Sequence, residues 1–185
     1  MFGGPVVPGP WALGEKELQA VPGYGADAAA NLEEAKRLMK EAGIEPGLKV
    51  RLLVRRIALF EPIGVFLKDQ WAKIGIDVVL NVQENAAFFV SQAGRKFQAL
   101  VAGGSANTAD PDDIGAWYQC NSSQNLSGLR LPKADKIFER MSSELDPAKR
   151  KALAKQWELA TAEGNGTFVM YWRNASWACA GTSTG

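Results

Sequence analysis

Residues 48–56, LKVRLLVRR, alternate Leu48, Val50, Leu52 and Val54 with Lys49, Arg51 and Arg55, the period of a strand with one wetter face. Residues 76–83, IDVVLNVQ, form a second apolar run of strand length. Between the two, Glu61-Pro62 opens a helix on which Ile63, Phe66, Leu67, Gln70, Trp71 and Ile74 recur at helical spacing, and Gly75 closes it. Strands joined through a helix of this length lie parallel, because the crossover carries the chain back to the end where the first strand began. An α/β fold follows, with a mainly parallel or mixed sheet flanked by helices.

The rest of the chain extends this order. From Asp27, Leu32, Ala35, Leu38 and Met39 share one helical face and Gly43 stops the helix. A short helix over residues 86–92 leads to a third strand at Phe97. Leu131-Pro132 starts a helix carrying Ile137, Phe138, Met141 and Leu145. Asp146-Pro147 starts another, with Leu153, Trp157 and Ala160 inward and Lys149, Arg150, Lys151 and Lys155 outward. Residues 167–172 read as a last strand. Residues 1–26, rich in Pro and Gly and without helical or strand period, read as an extended arm whose Val6, Val7, Trp11, Leu13, Val21 and Tyr24 cover a surface. Residues 173–185 form an irregular tail. Both ends are loose crossings around an α/β body over residues 27–172, the arrangement expected of one lobe of a two-lobed protein.

Composition excludes several function classes. Among 185 residues there is no histidine, which removes Ser-His, Cys-His and His-metal chemistry. The formal net charge is +1, with no basic run interleaved with aromatics, so nucleic acid is not an expected partner. Apolar runs are too short to span a bilayer, and the first five residues carry no basic n-region followed by an apolar stretch. Cys120 and Cys179 lack CxxC spacing and read as unpaired thiols. No cofactor or metal is expected.

Residues 97–128 hold the candidate site. A short apolar strand breaks at Gly103-Gly104, passes small polar residues, and restarts at Asp110-Pro111, read as a helix capped by Asp110. In open α/β sheets ligands bind beyond the carboxyl ends of strands, where helix N-termini offer free N–H groups. The backbone of Gly103, Gly104, Ser105, Ala106 and Asn107 is therefore the candidate ligand contact, with Arg55 or Arg56, at the same sheet edge, as a clamp for a ligand carboxylate. Trp117 and Tyr118 follow the bare loop and are candidates to line a pocket. Asp110, Asp112 and Asp113 lack calcium-loop spacing and are explained by capping and the helix dipole. Asn121-Ser122 and residues 125–127 read as turn formers; residues 125–127 also fit a common glycosylation pattern.

Four stretches in order, LEEAKRLMKEAG (32–43), DQWAKIGIDV (69–78), Asp110-Pro111-Asp112 with Tyr118 and Cys120, and NLSG (125–128) with Pro132 and Asp135, resemble the C-terminal lobe of the family 5 extracellular solute-binding proteins, receptors of bacterial ABC importers for dipeptides, oligopeptides and nickel. The resemblance implies one lobe of a type II periplasmic-binding-protein-like fold. It also implies an N-terminal lobe of the same protein as a partner, a membrane permease that receives the ligand, a periplasmic or membrane-tethered extracytoplasmic location, and closure on the ligand by hinge bending. In peptide-binding members an aspartate three residues before the Asp-Pro-Asp anchors the ligand's α-amino group, and a tryptophan often lies a few residues earlier. Asn107 and Gly104 hold those places here, which implies a weaker grip on a cationic amine and a roomier or flatter wall.

The expectation is a non-enzymatic lobe forming half of a cleft for a peptide-like or other small solute, binding weakly alone. Two other classes remain open: a hydrolase using the Asp110–Asp113 carboxylates, and an interaction module that dimerises through the exposed face between lobes.

Overall fold

The computed structural model describes residues 4–164 and 166–173. Three parallel strands, β1 (Leu48–Arg55), β2 (Ile76–Gln83) and β3 (Ala99–Leu100), stand in the order β2-β1-β3. Leu48 pairs with Ile76 and Arg55 with Gln83, so β1 and β2 run in register over eight residues each. Their crossover helix α3 (Glu61–Ala72) packs on the face carrying Leu52, Val54 and Val78; Phe60 and Val101 complete this first core, with Ile63, Leu67 and Trp71 against it. Gly64 lets α3 approach the sheet, since a Cβ there would sit 2.9 Å from Cγ2 of Val54.

The second core lies between α5 (Pro132–Ser143) and α6 (Pro147–Glu163), where Phe138 and Met141 meet Leu153, Trp157 and Ala160. Asp146 caps α6 by accepting the amides of Ala148 (2.9 Å) and Lys149 (3.2 Å), with Pro147 at the first helical position. Tyr118 belongs to this core, set edge-on to Trp157 at 5.5 Å, and burial pushes its phenol pKa up. It is therefore a packing residue, and it also lines a small cavity with Leu129, Leu131 and Thr161.

The remaining elements are α1 (Glu15–Gln19), α2 (Ala28–Glu41) and α4 (Asn85–Ala93). Asp27 caps α2 through the amides of Ala29 and Ala30, and Gly43 and Gly75 end their helices with φ of 67° and 85°. The periodicity of α2 is correct but its inward face is only half covered: Leu32, Ala35 and Met39 are half-buried, Leu38 is 49% exposed and the helix has no buried residue. Phe66 on α3 is likewise exposed, and Leu145, 94% exposed, falls beyond the end of α5.

Two segments near the chain ends carry features that the sequence pattern did not give. Residues 4–26 include the short helix α1, held by Glu17 accepting the Gly14 amide (2.7 Å), and Val6 is wholly buried in the second core. Residues 167–172 are not a strand among the described residues. They pack by side chains: Phe168 lies 4.9 Å from the Tyr24 ring, and Trp172 donates from Nε1 to the Gly4 carbonyl at 3.1 Å. Cys120 is a thiol whose Sγ accepts the Leu131 amide at 3.1 Å; Cys179 lies outside the described residues.

Candidate functional site

The parallel register brings the ends of β1, β2 and β3 to one edge. The Val101 amide donates to the Leu53 carbonyl (2.9 Å), and the chain then leaves the sheet into the exposed residues Gly103, Gly104 and Ser105. Among the described residues, no hydrogen bond engages the backbone amides of residues 103–106, of which Gly103, Gly104 and Ser105 are exposed.

Arg55 ends β1 beside this loop. Its guanidinium lies over three rings, Phe60 at 5.0 Å, Phe89 at 5.4 Å and Phe88 at 6.0 Å, and its buried Nε has no hydrogen-bond partner. Phe60 bridges to the loop: a Cβ at Gly103 would lie 2.7 Å from its Cζ. Arg55, Phe60 and Gly103 thus form one patch. Arg56 points elsewhere, into an exposed ion pair with Glu84 at 3.0 Å. Of the two arginines, only Arg55 faces the loop's neighbours.

Gly104 lies flat against Trp117, where a Cβ would collide with Cζ2 and Cη2 of the indole. Trp117 in turn stacks on Trp172 at 6.2 Å. The space beside Gly104 is therefore occupied by the flat face of the Trp117 indole. Ala106 packs against the α5–α6 core.

The acidic triplet builds the loop. The expected helix is a single turn of 3-10 helix, Pro111–Asp113, with the Asp110 cap present through the Asp112 amide at 3.0 Å. Arg150 on α6 forks onto Asp110 (2.7 and 2.8 Å) and reaches Asp112 (2.9 Å), holding the Asp110 carboxyl below its ordinary range. Ser142 donates to Asp112 at 2.6 Å. Asp113 accepts the amides of Thr108 (2.9 Å) and Asn107, and both bonds lower its pKa. The Asn107 side chain reaches Asp113 at 3.4 Å. All three carboxylates are engaged within the loop and its supports. Among the described residues no group of His, Cys, Asp and Glu side chains could hold a metal ion.

Arg150 and Glu158 were missed as structural groups because the charged residues of α6 read as one solvated face. The signal was there: positions 150, 154, 157, 158 and 161 form an inward stripe at helical spacing, and Arg150 and Glu158 stand in it. Asn125 is also more than a turn former: it is buried, with its amide spent on the carbonyls of Gln119 and Leu129.

The family model for bacterial extracellular solute-binding proteins, family 5 middle, matches residues 2–126. Di/tripeptide-binding protein 1 of Pseudomonas aeruginosa is 28% identical over 138 residues, 70% of this chain and 26% of that protein. The OppA structure from Burkholderia pseudomallei superposes with a TM-score of 0.71 at 26% identity, over 77% of this chain and 29% of that one. Haemophilus influenzae OppA in complex with RPPGFSPFR gives a TM-score of 0.67 at 25% identity, covering 81% and 31%. The chain spans between a quarter and a third of the length of these proteins.

Proposed function

Because the chain belongs to the family 5 bacterial extracellular solute-binding proteins, we propose that it forms one wall of the ligand cleft in the substrate-binding component of an ABC importer, with a peptide-like solute as ligand. The relatives are named as binding proteins for di- and tripeptides and for oligopeptides. The observation that carries the reading to particular residues is Arg55, whose partly buried guanidinium lacks a partner at Nε and sits at the same sheet edge as the free amides of residues 103–106. A cation and a row of donors suit an extended ligand with a carboxylate, and Trp117 supplies a flat apolar contact. Arg56, occupied by Glu84, is left out of the site.

The engagement of all three loop aspartates by Arg150, Ser142 and loop amides supports a binding role over a carboxylate hydrolase. The cleft needs a second wall, the N-terminal lobe of the same protein, and a membrane permease to receive the solute. Location outside the cytoplasm goes with the family; among the described residues no helix is long and apolar enough to cross a membrane. Half a cleft buries half a ligand, so the chain alone binds more weakly than micromolar.

The test uses a two-lobed receptor carrying this chain as its lobe, titrated with peptides and their C-terminal amides. Arg55→Ala should lower affinity for the free carboxylates by about tenfold or more, the worth of a charge-assisted hydrogen bond, and leave the amides unchanged. An equal loss for both ligand forms, or no loss, removes Arg55 from the site.

A further inference from the structure

The arm at residues 4–14 touches the candidate loop by a route the binding site does not use. Two anchors hold it on α6. Val6 donates its amide to Oε1 of Glu158 (3.2 Å) and Leu13 to Oε2 (2.6 Å), so the segment between them is stretched over the α5–α6 core. Within that segment the Trp11 ring lies 4.9 Å from the Arg150 guanidinium carbon, on the side chain that forks onto Asp110 and Asp112. Gly9 lies against Ala109, where an added Cβ would meet the alanine methyl at 3.6 Å. The turn that Arg150 holds ends in Asp113, which accepts the amides of Asn107 and Thr108.

These contacts form one physical chain: arm, Arg150, acidic turn, loop amides. Arg150 has three competing demands, the Asp110 fork, Asp112, and the Met141 carbonyl, which accepts from its Nε at 3.3 Å. A planar guanidinium meets all three only in one orientation, and a ring lying 4.9 Å from its central carbon restricts the others. We propose that Arg150 is a positioning residue for the ligand loop and that the arm, through Trp11, holds Arg150 in the orientation that shapes residues 105–108. Any movement of the arm is then felt at the loop. That the loop contacts ligand rests on the function proposed above; the coupling between arm and loop does not.

Amide hydrogen exchange by NMR on the full chain separates the two. Trp11→Ala should speed exchange at Asn107 and Thr108 by about tenfold while the amides of β1 and β2 keep their wild-type rates. Trp11→Phe, which restores a ring over the guanidinium, should return both loop amides toward wild type, and Arg150→Lys, which keeps the charge without the fork, should behave as Trp11→Ala. Unchanged exchange at Asn107 and Thr108 in Trp11→Ala overturns the proposal. So does acceleration spread equally over the sheet, which would mark Trp11 as a general packing residue. Because no ligand enters the experiment, either outcome leaves the binding reading to its own test.

Discussion

Glu158 Oε2 accepts the Leu13 amide at 2.6 Å across 145 residues of sequence, from a side chain with no exposed surface. Burial, first, lifts the Glu158 pKa to about 7; the two arm amides and Lys155 pull it down, and Glu17 raises it further. A carboxyl raised from its ordinary 4.5 binds its proton more tightly when folded than when unfolded. This group therefore favours the folded state most below pH 4.5 and loses that advantage as pH climbs to about 7, a swing on the order of 3 kcal/mol. Asp110 acts oppositely: its lowered pKa adds stability above 3.8 that is lost on acidification. Thermal melting followed from pH 4 to 8 should fall toward the alkaline end, and Glu158→Gln should flatten the fall. A midpoint that rises across this range contradicts the assignment.

The Gly104–Trp117 contact gives a second expectation. Gly104→Ala forces the indole away from the loop and off Trp172, at a cost of ~1–3 kcal/mol for overpacking. Urea titration measures the cost, and near-ultraviolet circular dichroism reads the changed tryptophan environment. A variant with wild-type stability and spectrum would mean that the ring is free to leave.

How much of this was legible in the sequence depends on whether the determinant is local. The β1–α3–β2 unit was readable because apolar period and helix-stopping glycines act within a few residues. The carboxyl-edge loop followed from topology alone. The last strand failed because a strand needs a partner, and Thr167 to Trp172 met the arm instead, by Phe168 on Tyr24 and Trp172 on Gly4. The inward face of α2 is only half covered, since amphipathic spacing states what a helix can bury and not what stands opposite it. At the candidate site, the loop residues are contiguous in sequence and could be named from it, whereas Phe60, Phe88 and Phe89 around Arg55 and Arg150 beneath the acidic turn come from distant positions that only the fold brings in.

Asn125 offers a test of a buried polar anchor. Its Nδ2 donates to the Gln119 and Leu129 carbonyls at 3.2 and 2.9 Å, and its Oδ1 accepts from the Ser127 hydroxyl and the Gly128 amide at 2.8 and 3.0 Å. Asn125→Ala should cost about 1–3 kcal/mol in urea unfolding, by leaving carbonyls buried without donors. Asn125→Asp should be worse at neutral pH, where a carboxylate oxygen faces two carbonyls, and should recover partly in acid as the new carboxyl gains a proton to donate. Equal stability of the Asp variant at pH 5 and 8 would show that the site is wetter than its burial implies.

If the loop contacts ligand as proposed, Asn107 is the position at which a ligand's charge would be read. Its backbone amide is already committed to Asp113, and its side chain is drawn to the same carboxylate at 3.4 Å, so no negative group at this position faces a ligand amine. Asn107→Asp would place a second carboxylate beside Asp113. The Asp113 pKa, held low by the Thr108 and Asn107 amides, should move up under that repulsion, and the new side chain should turn outward to escape it. An outward carboxylate is a partner for a cationic α-amino group. In a two-lobed receptor carrying the change, peptides with free amino termini should bind about tenfold more tightly relative to their N-acetylated forms than in the wild type. Calorimetric titration of both ligand series gives the ratio directly. If the ratio does not move, the amine is held elsewhere in the cleft and the asparagine does not set specificity.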